Sequence, residues 1–173
     1  WGLYPKLAAQ PGQLMTSSVG RMFDAVASLL GLADKVSYEG EAALLLEDMA
    51  NIYCNRHGFS FMEIYPLESA LPGAPSVIQT ENLFRQIIGD LDAGRDKAYI
   101  AAKFHYSLVE AISHIAGRLK IKKIAFSGGV FQNTLLLNMI QHLLNPAYQL
   151  YFHRQLSPND ENISFGQWAY CRN

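Results

Sequence analysis

Lys122-Lys123-Ile124-Ala125-Phe126-Ser127-Gly128-Gly129-Val130-Phe131-Gln132-Asn133 carries an apolar strand into a Ser-Gly-Gly turn and straight out into an apolar helix. Two glycines remove the side chains that would hold a ligand away from the backbone. The N-terminus of a following helix directs free N–H groups and a positive dipole end at an anion. A phosphate cradle and an ordinary tight strand-to-helix connection both answer that description. The rest of the chain has to decide between them.

Downstream, the pattern predicts a helix over 131–144, a strand over 149–152 and a last helix after Pro158-Asn159-Asp160. Two consecutive strand–turn–helix units call for parallel strands with crossover helices, hence an α/β domain. In such domains ligands sit at the carboxyl ends of the strands, and the turns Ser127-Gly128-Gly129 and Ser157 to Asn162 both lie at such ends.

Upstream, residues 1–14 read as an extended lead-in. A helix runs from the hydroxyl caps Thr16-Ser17-Ser18 to Leu30, stopping at Gly31. Its apolar side is Val19, Met22, Phe23, Val26 and Leu30, and its polar side is Ser17, Gly20, Arg21 and Asp24. A second helix with the stripe Ala42, Leu45, Leu46, Met49, Ile52 and Tyr53 ends near Gly58. Phe59 to Tyr65 alternates as a strand, Pro66 to Ser76 is a loop, and Val77-Ile78-Gln79 is a short strand. A helix over 81–93 points Leu83, Phe84, Ile87, Ile88 and Leu91 inward. A long one, capped by Asp96, continues to Lys120 with Ile100, Phe104, Leu108, Ala111, Ile112, Ile115 and Leu119 on one stripe.

At 173 residues and 50% hydrophobic the chain can bury one substantial core. No apolar run approaches the roughly twenty residues that span a bilayer. A net charge of −1 with scattered Lys and Arg offers no basic stripe for nucleic acid. Cys54 and Cys171 are lone thiols outside any zinc or disulfide pattern, which fits a reducing cytoplasm. The chain opens on Trp1 without the layout of a signal peptide, and so reads as a piece of a longer protein.

For chemistry, Ser17, Gly20 and Asp24 stack on one helix face and offer a hydroxyl, open backbone and a carboxylate suited to ribose. A solvated face with a loose Arg21/Asp24 pair is the plainer reading. Asn133 can reach a base or ribose, or face solvent. Asp160 is the carboxylate best placed for a metal, although Asp is also a leading helix N-cap. His105 reads as a packed, hydrogen-bonded histidine. His57 and His114 read as surface residues, and His153-Arg154 as positive charge near the second turn. No nucleophile–base order, paired carboxylates or metal-spaced histidines appear, so catalytic residues stay unassigned and a binding half-site fits better.

Four blocks read together resemble the C-terminal part of the hydrogenase maturation carbamoyltransferase (HypF) family. These are Thr16-Ser17-Ser18-Val19-Gly20-Arg21-Met22-Phe23-Asp24-Ala25-Val26, Tyr38-Glu39-Gly40-Glu41-Ala42-Ala43, Phe126 through Asn133, and His153-Arg154-Gln155-Leu156-Ser157-Pro158-Asn159-Asp160 with Gly166-Gln167 behind it. Ala102-Lys103-Phe104-His105 matches the family's long helix. The family's last domain is similar to the tRNA threonylcarbamoyl-transfer enzymes Kae1 and TsaD, within the actin/hexokinase-like (ASKHA) ATPase fold. The resemblance therefore implies that residues 1–173 form mainly the second lobe of a Kae1-like domain.

It further implies that Gly20 and Asp24 hold an adenylate ribose, that Gly128, Gly129 and Asn133 wrap its phosphate and nucleoside, and that Asp160 is one ligand of a divalent metal. The metal's paired histidines, and the domains that make the carbamoyl-adenylate, would lie upstream. The implied whole-protein reaction takes carbamoyl phosphate and ATP through carbamoyl-adenylate to the C-terminal cysteine of HypE, for the cyanide ligand of [NiFe]-hydrogenase. The fragment alone would turn over nothing. A tRNA threonylcarbamoyltransferase lobe and a non-catalytic partner-docking lobe remain alternatives. One departure stands out: Glu161-Asn162 follows Asn159-Asp160 where the family tends to have small residues.

Overall fold

A computed structural model of the chain describes residues 16–59, 63–67 and 80–172. Helix α1 spans Val19–Leu29, α2 Glu41–His57, α3 Thr80–Asp92 and α4 Lys97–Arg118. Strand β1 (Lys123–Phe126) is followed by a 3₁₀ turn (Gly129–Gln132), α5 (Thr134–Leu144), strand β2 (Gln149–Phe152), a second 3₁₀ turn (Asp160–Asn162) and α6 (Ile163–Tyr170). The strands pair in parallel, with Lys123 opposite Gln149 and Phe126 opposite Phe152. The expected α/β architecture is thus observed, with α5 as the crossover helix. The lead-in 1–14, residues 60–62, most of the Pro66–Ser76 loop and the strand at Val77–Gln79 lie outside the described residues.

The core is organised around α4. Asp96 caps it as its sequence position predicts, accepting from Ala98 N–H at 3.1 Å. From Ala98 to Val109 the helix is buried on nearly every side, including Ile100, Ala101, Ala102, Phe104 and His105. The apolar stripe loosens toward its end: Ala111, Ile112 and Ile115 are half-buried and Leu119 is exposed. Phe23 of α1 meets Phe104 and His105 edge-on, with ring centroids 5.0 and 5.2 Å apart, a favoured aromatic geometry.

Three expectations need correction. The stripe of α2 is turned by about one residue: Ala42, Leu46, Glu47, Ala50 and Cys54 are buried, whereas Leu45 and Ile52 are exposed. The cause is Glu47, whose carboxylate reaches the buried end of α5 and accepts from Leu135 N–H at 2.9 Å. The small Ala42, Ala50 and Cys54 turn inward with it. The α2 helix packs more extensively on α4 than on any other element.

The strand expected over Phe59–Tyr65 is unpaired in its described part, residues 59 and 63–65. Tyr65 is instead anchored by its N–H to Ser107 Oγ (2.8 Å) and by its hydroxyl to Asp90 (2.7 Å). Finally, the helix after the Gly turn starts at Thr134 rather than Phe131, because a single 3₁₀ turn intervenes.

Candidate functional site

The turn after β1 requires glycine at one position. Gly128 has φ +114°, in the region an L side chain rarely adopts, and a side chain added at Gly128 or Gly129 would meet nothing within 4 Å. The turn is tied to the one after β2: Gly128 N–H donates to the Pro158 carbonyl at 2.7 Å and Gln132 Nε2 to Ser157 Oγ at 3.3 Å. The two strand-end turns therefore stand together, as their topological position predicts.

Beside them the structure opens a cavity of about 390 Å³. Its polar rim is Ser18 and Gly20 at the start of α1 with Ser127, Gly128 and Gly129. Its floor is apolar, formed by Leu108, Ala111, Ile112 and Ile115 of α4 with Val130 and Leu136. The loosened end of the α4 stripe is thus the floor of this cavity. A concave apolar site with a few converging polar groups is the usual form of a small-molecule site.

Of the residues expected at a nucleotide, Gly20, Ser127, Gly128 and Gly129 come together here. Ser17 and Asp24 do not line the cavity. Asp24 accepts from Arg21 Nη1 at 3.1 Å, the loose surface pair that the plainer reading foresaw. Ser18, rather than Ser17, supplies the rim hydroxyl. A cap position one residue before the first helical turn was the sequence signal for it.

Asn133 does not face solvent. Its side chain bonds to the protein: Oδ1 caps α5 by accepting from Leu136 N–H at 2.7 Å, and Nδ2 donates to His105 Nε2 at 3.1 Å. Only 8% exposed, it ties the turn to α4 and α5. The α5 N-terminus is occupied likewise, by Asn133 and Glu47, so its dipole is not open to an anion. On the 3₁₀ turn itself, among the described residues, Gly129 and Val130 N–H donate to no protein acceptor.

His105 is the buried histidine its surroundings suggested. Nδ1 donates to the Ala101 carbonyl at 2.8 Å, and Nε2 accepts from Asn133. Burial lowers its pKa to about 4 against the smaller opposing pull of the Ala101 carbonyl, so the ring is neutral near pH 7.

Asp160 is a cap neither of the second 3₁₀ turn, which Asn159 caps by accepting from Glu161 N–H at 3.2 Å, nor of α6, whose N-cap position is Asn162. Asp160 is exposed, and among the described residues its carboxylate has no partner. Those residues hold no group of three or more His, Cys, Asp or Glu arranged to bind a metal. One available oxygen donor fits a single ligand position and no more.

Sequence reading missed a second polar cluster on the far half of α4. Lys103, 8% exposed in its side chain, lies 3.0 Å from Asp90 and 3.4 Å from Glu63, with its ammonium 4.1 Å from the Tyr65 ring centre. The Tyr99 hydroxyl donates to Glu63 at 2.7 Å, and that bond, with the nearby Lys103, lowers the Glu63 pKa. Burial raises the Asp90 pKa, but the bonds from Tyr65 and Lys103 outweigh it and leave a net lowering. These residues lie on three separate segments, with no short motif to reveal them.

Among the described residues no helix is long and apolar enough to cross a membrane. The family profile described as "Carbamoyltransferase, Kae1-like Domain, second subdomain" matches residues 2–167. The chain is 39% identical to the carbamoyltransferase HypF of Synechocystis, over 91% of this chain and 20% of that protein. It is 34% identical to HypF of Rhodobacter capsulatus, over 88% and 19%. Among solved structures it is similar to full-length HypF in its phosphate- and nucleotide-bound form (TM-score 0.74, 36% identity, 87% of this chain and 20% of that one). It is also similar to HypF of T. kodakarensis (TM-score 0.78, 28% identity, 98% and 22%). The chain thus spans about a fifth of the length of these relatives. The chain belongs to the carbamoyltransferase family whose profile describes the second subdomain of the Kae1-like domain.

Proposed function

We propose that this chain is the second lobe of the Kae1-like domain of a HypF-type carbamoyltransferase with an actin/hexokinase-like fold, and that its cavity forms one wall of an adenylate cleft. The observation that carries the reading is the meeting of Ser18 and Gly20 with Ser127-Gly128-Gly129 around an apolar floor. In this reading the base lies on the Leu108/Ile112/Ile115 floor. The phosphate takes the Gly129 and Val130 N–H groups, which need no rearrangement to receive it. The nucleotide-bound state of the HypF relative supports a nucleotide as the ligand class.

The whole-protein reaction we propose uses carbamoyl phosphate and ATP to make carbamoyl-adenylate. The thiolate of the C-terminal cysteine of HypE then attacks the carbamoyl carbon, the bond to the adenylate oxygen breaks, and AMP leaves with that electron pair. This lobe's part is positioning and charge stabilisation. The nucleophile is the partner's, so Cys54, buried with its pKa raised to about 11 by burial, needs no catalytic role. Asp160 supplies one oxygen donor to a divalent metal whose other ligands come from outside the described residues. That metal, when bound, would neutralise phosphate charge. The same reading expects a cytoplasmic compartment, no nucleic-acid substrate and no turnover by this chain alone.

The test is calorimetry of ATP with the full-length protein and with its Gly128→Val variant, alongside carbamoyl transfer to HypE. The expected result is one ATP-binding event lost together with transfer, with binding at the upstream adenylate-forming domain retained. Unimpaired ATP binding and transfer by Gly128→Val would sink the assignment.

A further inference from the structure

Ser127 lines the cavity with its hydroxyl already oriented, and the group orienting it was expected from the sequence only to add positive charge near the second turn. His153, just past β2, places Nε2 3.1 Å from Ser127 Oγ. Its other ring nitrogen, Nδ1, lies 3.4 Å from Asn162 Nδ2. The identity of that amide nitrogen is settled by a third contact, since it lies 2.6 Å from the Ser157 carbonyl, which can only accept. An amide N–H pointing at Nδ1 makes Nδ1 an acceptor. A neutral ring that accepts at Nδ1 carries its proton on Nε2. His153 therefore donates to Ser127 Oγ.

That direction decides what Ser127 can do. With one lone pair taken by His153, the hydroxyl proton turns elsewhere, and among the described residues it meets no protein acceptor. Ser127 lines the cavity, so the free proton is offered there. A histidine beside a serine suggests a base that activates a nucleophile, but this order is the reverse: the ring holds its proton toward the serine and cannot receive another at Nε2.

We propose that His153, backed by Asn162, is a positioning residue that fixes the Ser127 hydroxyl as a hydrogen-bond donor to an anionic phosphoryl oxygen in the cavity. Ser127 and the Gly129 and Val130 N–H groups then form one donor set on successive residues. The inference rests on the nucleotide reading given under Proposed function. It adds that the phosphate contact depends on a residue 26 positions away on the neighbouring strand end.

The experiment measures ATP affinity and the transfer KM and kcat of the full-length protein, with urea midpoints for each variant. His153→Asn keeps a polar group near Nδ1 but removes the donor at Nε2. His153→Gln restores an N–H near the Nε2 position. We expect His153→Asn and Ser127→Ala each to weaken ATP binding about tenfold, chiefly in KM, with urea midpoints unchanged. The double variant should be no weaker than either single one, and His153→Gln should recover most of the loss. Wild-type ATP binding with normal affinity in His153→Asn, additive losses in the double variant, or no recovery by His153→Gln would each overturn the role of His153 while leaving the nucleotide site standing. Failure of the wild-type protein to bind ATP would overturn the nucleotide reading and this role together.

Discussion

Asn133 Nδ2 donates to His105 Nε2 across 3.1 Å, joining the first residue of the α5 cap to the middle of α4 beneath the glycine turn. The same side chain caps α5 through Leu136 N–H, so one residue supports two elements. Asn133→Ala removes a cap worth about 1 kcal/mol and strands a buried ring nitrogen at about 1–3 kcal/mol. Urea denaturation should show a loss of about 2–4 kcal/mol. Asn133→Ser, which retains a capping oxygen, should lose less.

His105 sets a pH window. Its folded pKa of about 4 lies below the ordinary value of 6.5, so the unfolded chain binds the proton first as pH falls. The stabilisation is complete above pH 6.5 and declines as pH drops from 6.5 to about 4, by about 3 kcal/mol if His105 acts alone. His105→Leu should flatten that stretch of the stability–pH curve. Asp90 and Glu63, whose pKa values are lowered, contribute stability present above the ordinary carboxylate range and lost only at lower pH. The two effects separate on the pH axis.

Lys103 neutralises two carboxylates while nearly buried. Lys103→Met leaves Asp90 only its longer pairing with Arg95 at 3.9 Å and should cost about 2–4 kcal/mol, as weakening a buried pair from one side does. Lys103→Met combined with Asp90→Asn keeps an acceptor for the Tyr65 hydroxyl and removes the poorly compensated charge. It should recover at least half of the loss in the same urea titration. A double variant no more stable than Lys103→Met would show that the charge imbalance is not the cost.

Two glycines of the cavity rim should respond in opposite ways. At Gly20, inside α1, an added Cβ would meet Ser18 Oγ at 3.5 Å and Val130 at 3.9 Å, ordinary contacts. Gly20→Ala should therefore stabilise the fold by about 0.5–1 kcal/mol through helix propensity. Gly128→Ala should destabilise it by about 1–3 kcal/mol because φ is +114°. On the proposed reading both weaken nucleotide binding, and thermal melts paired with calorimetry separate the two effects.

The parts of the fold that were legible are those fixed by local chemistry. Strands β1 and β2, the Asp96 cap and the neutral packed His105 follow from short runs of sequence whose alternatives are few. Reading failed where a distant group overrode local pattern. The stripe of α2 turns because Glu47 serves Leu135, 88 residues away. The start of α5 slips to Thr134 because a 3₁₀ turn fits between Gly128 and the Asn133 cap. Around the cavity, Gly20 and the Ser-Gly-Gly turn stood out in the sequence because glycine marks close backbone approach. Ser18, the apolar floor and the Lys103 cluster were not, since each takes its meaning only from neighbours the fold brings in.

Helix α6 turns Ile163, Phe165 and Trp168 outward, each about half exposed, and Trp168 lies under the Arg172 guanidinium at 4.6 Å. The chain has two tryptophans, Trp1 and Trp168. A Trp1→Phe chain would therefore emit from Trp168 alone, at a wavelength set by water. Any protein surface laid over α6 would shift that emission to the blue and shield it from a dissolved quencher, so the helix carries its own optical gauge of assembly.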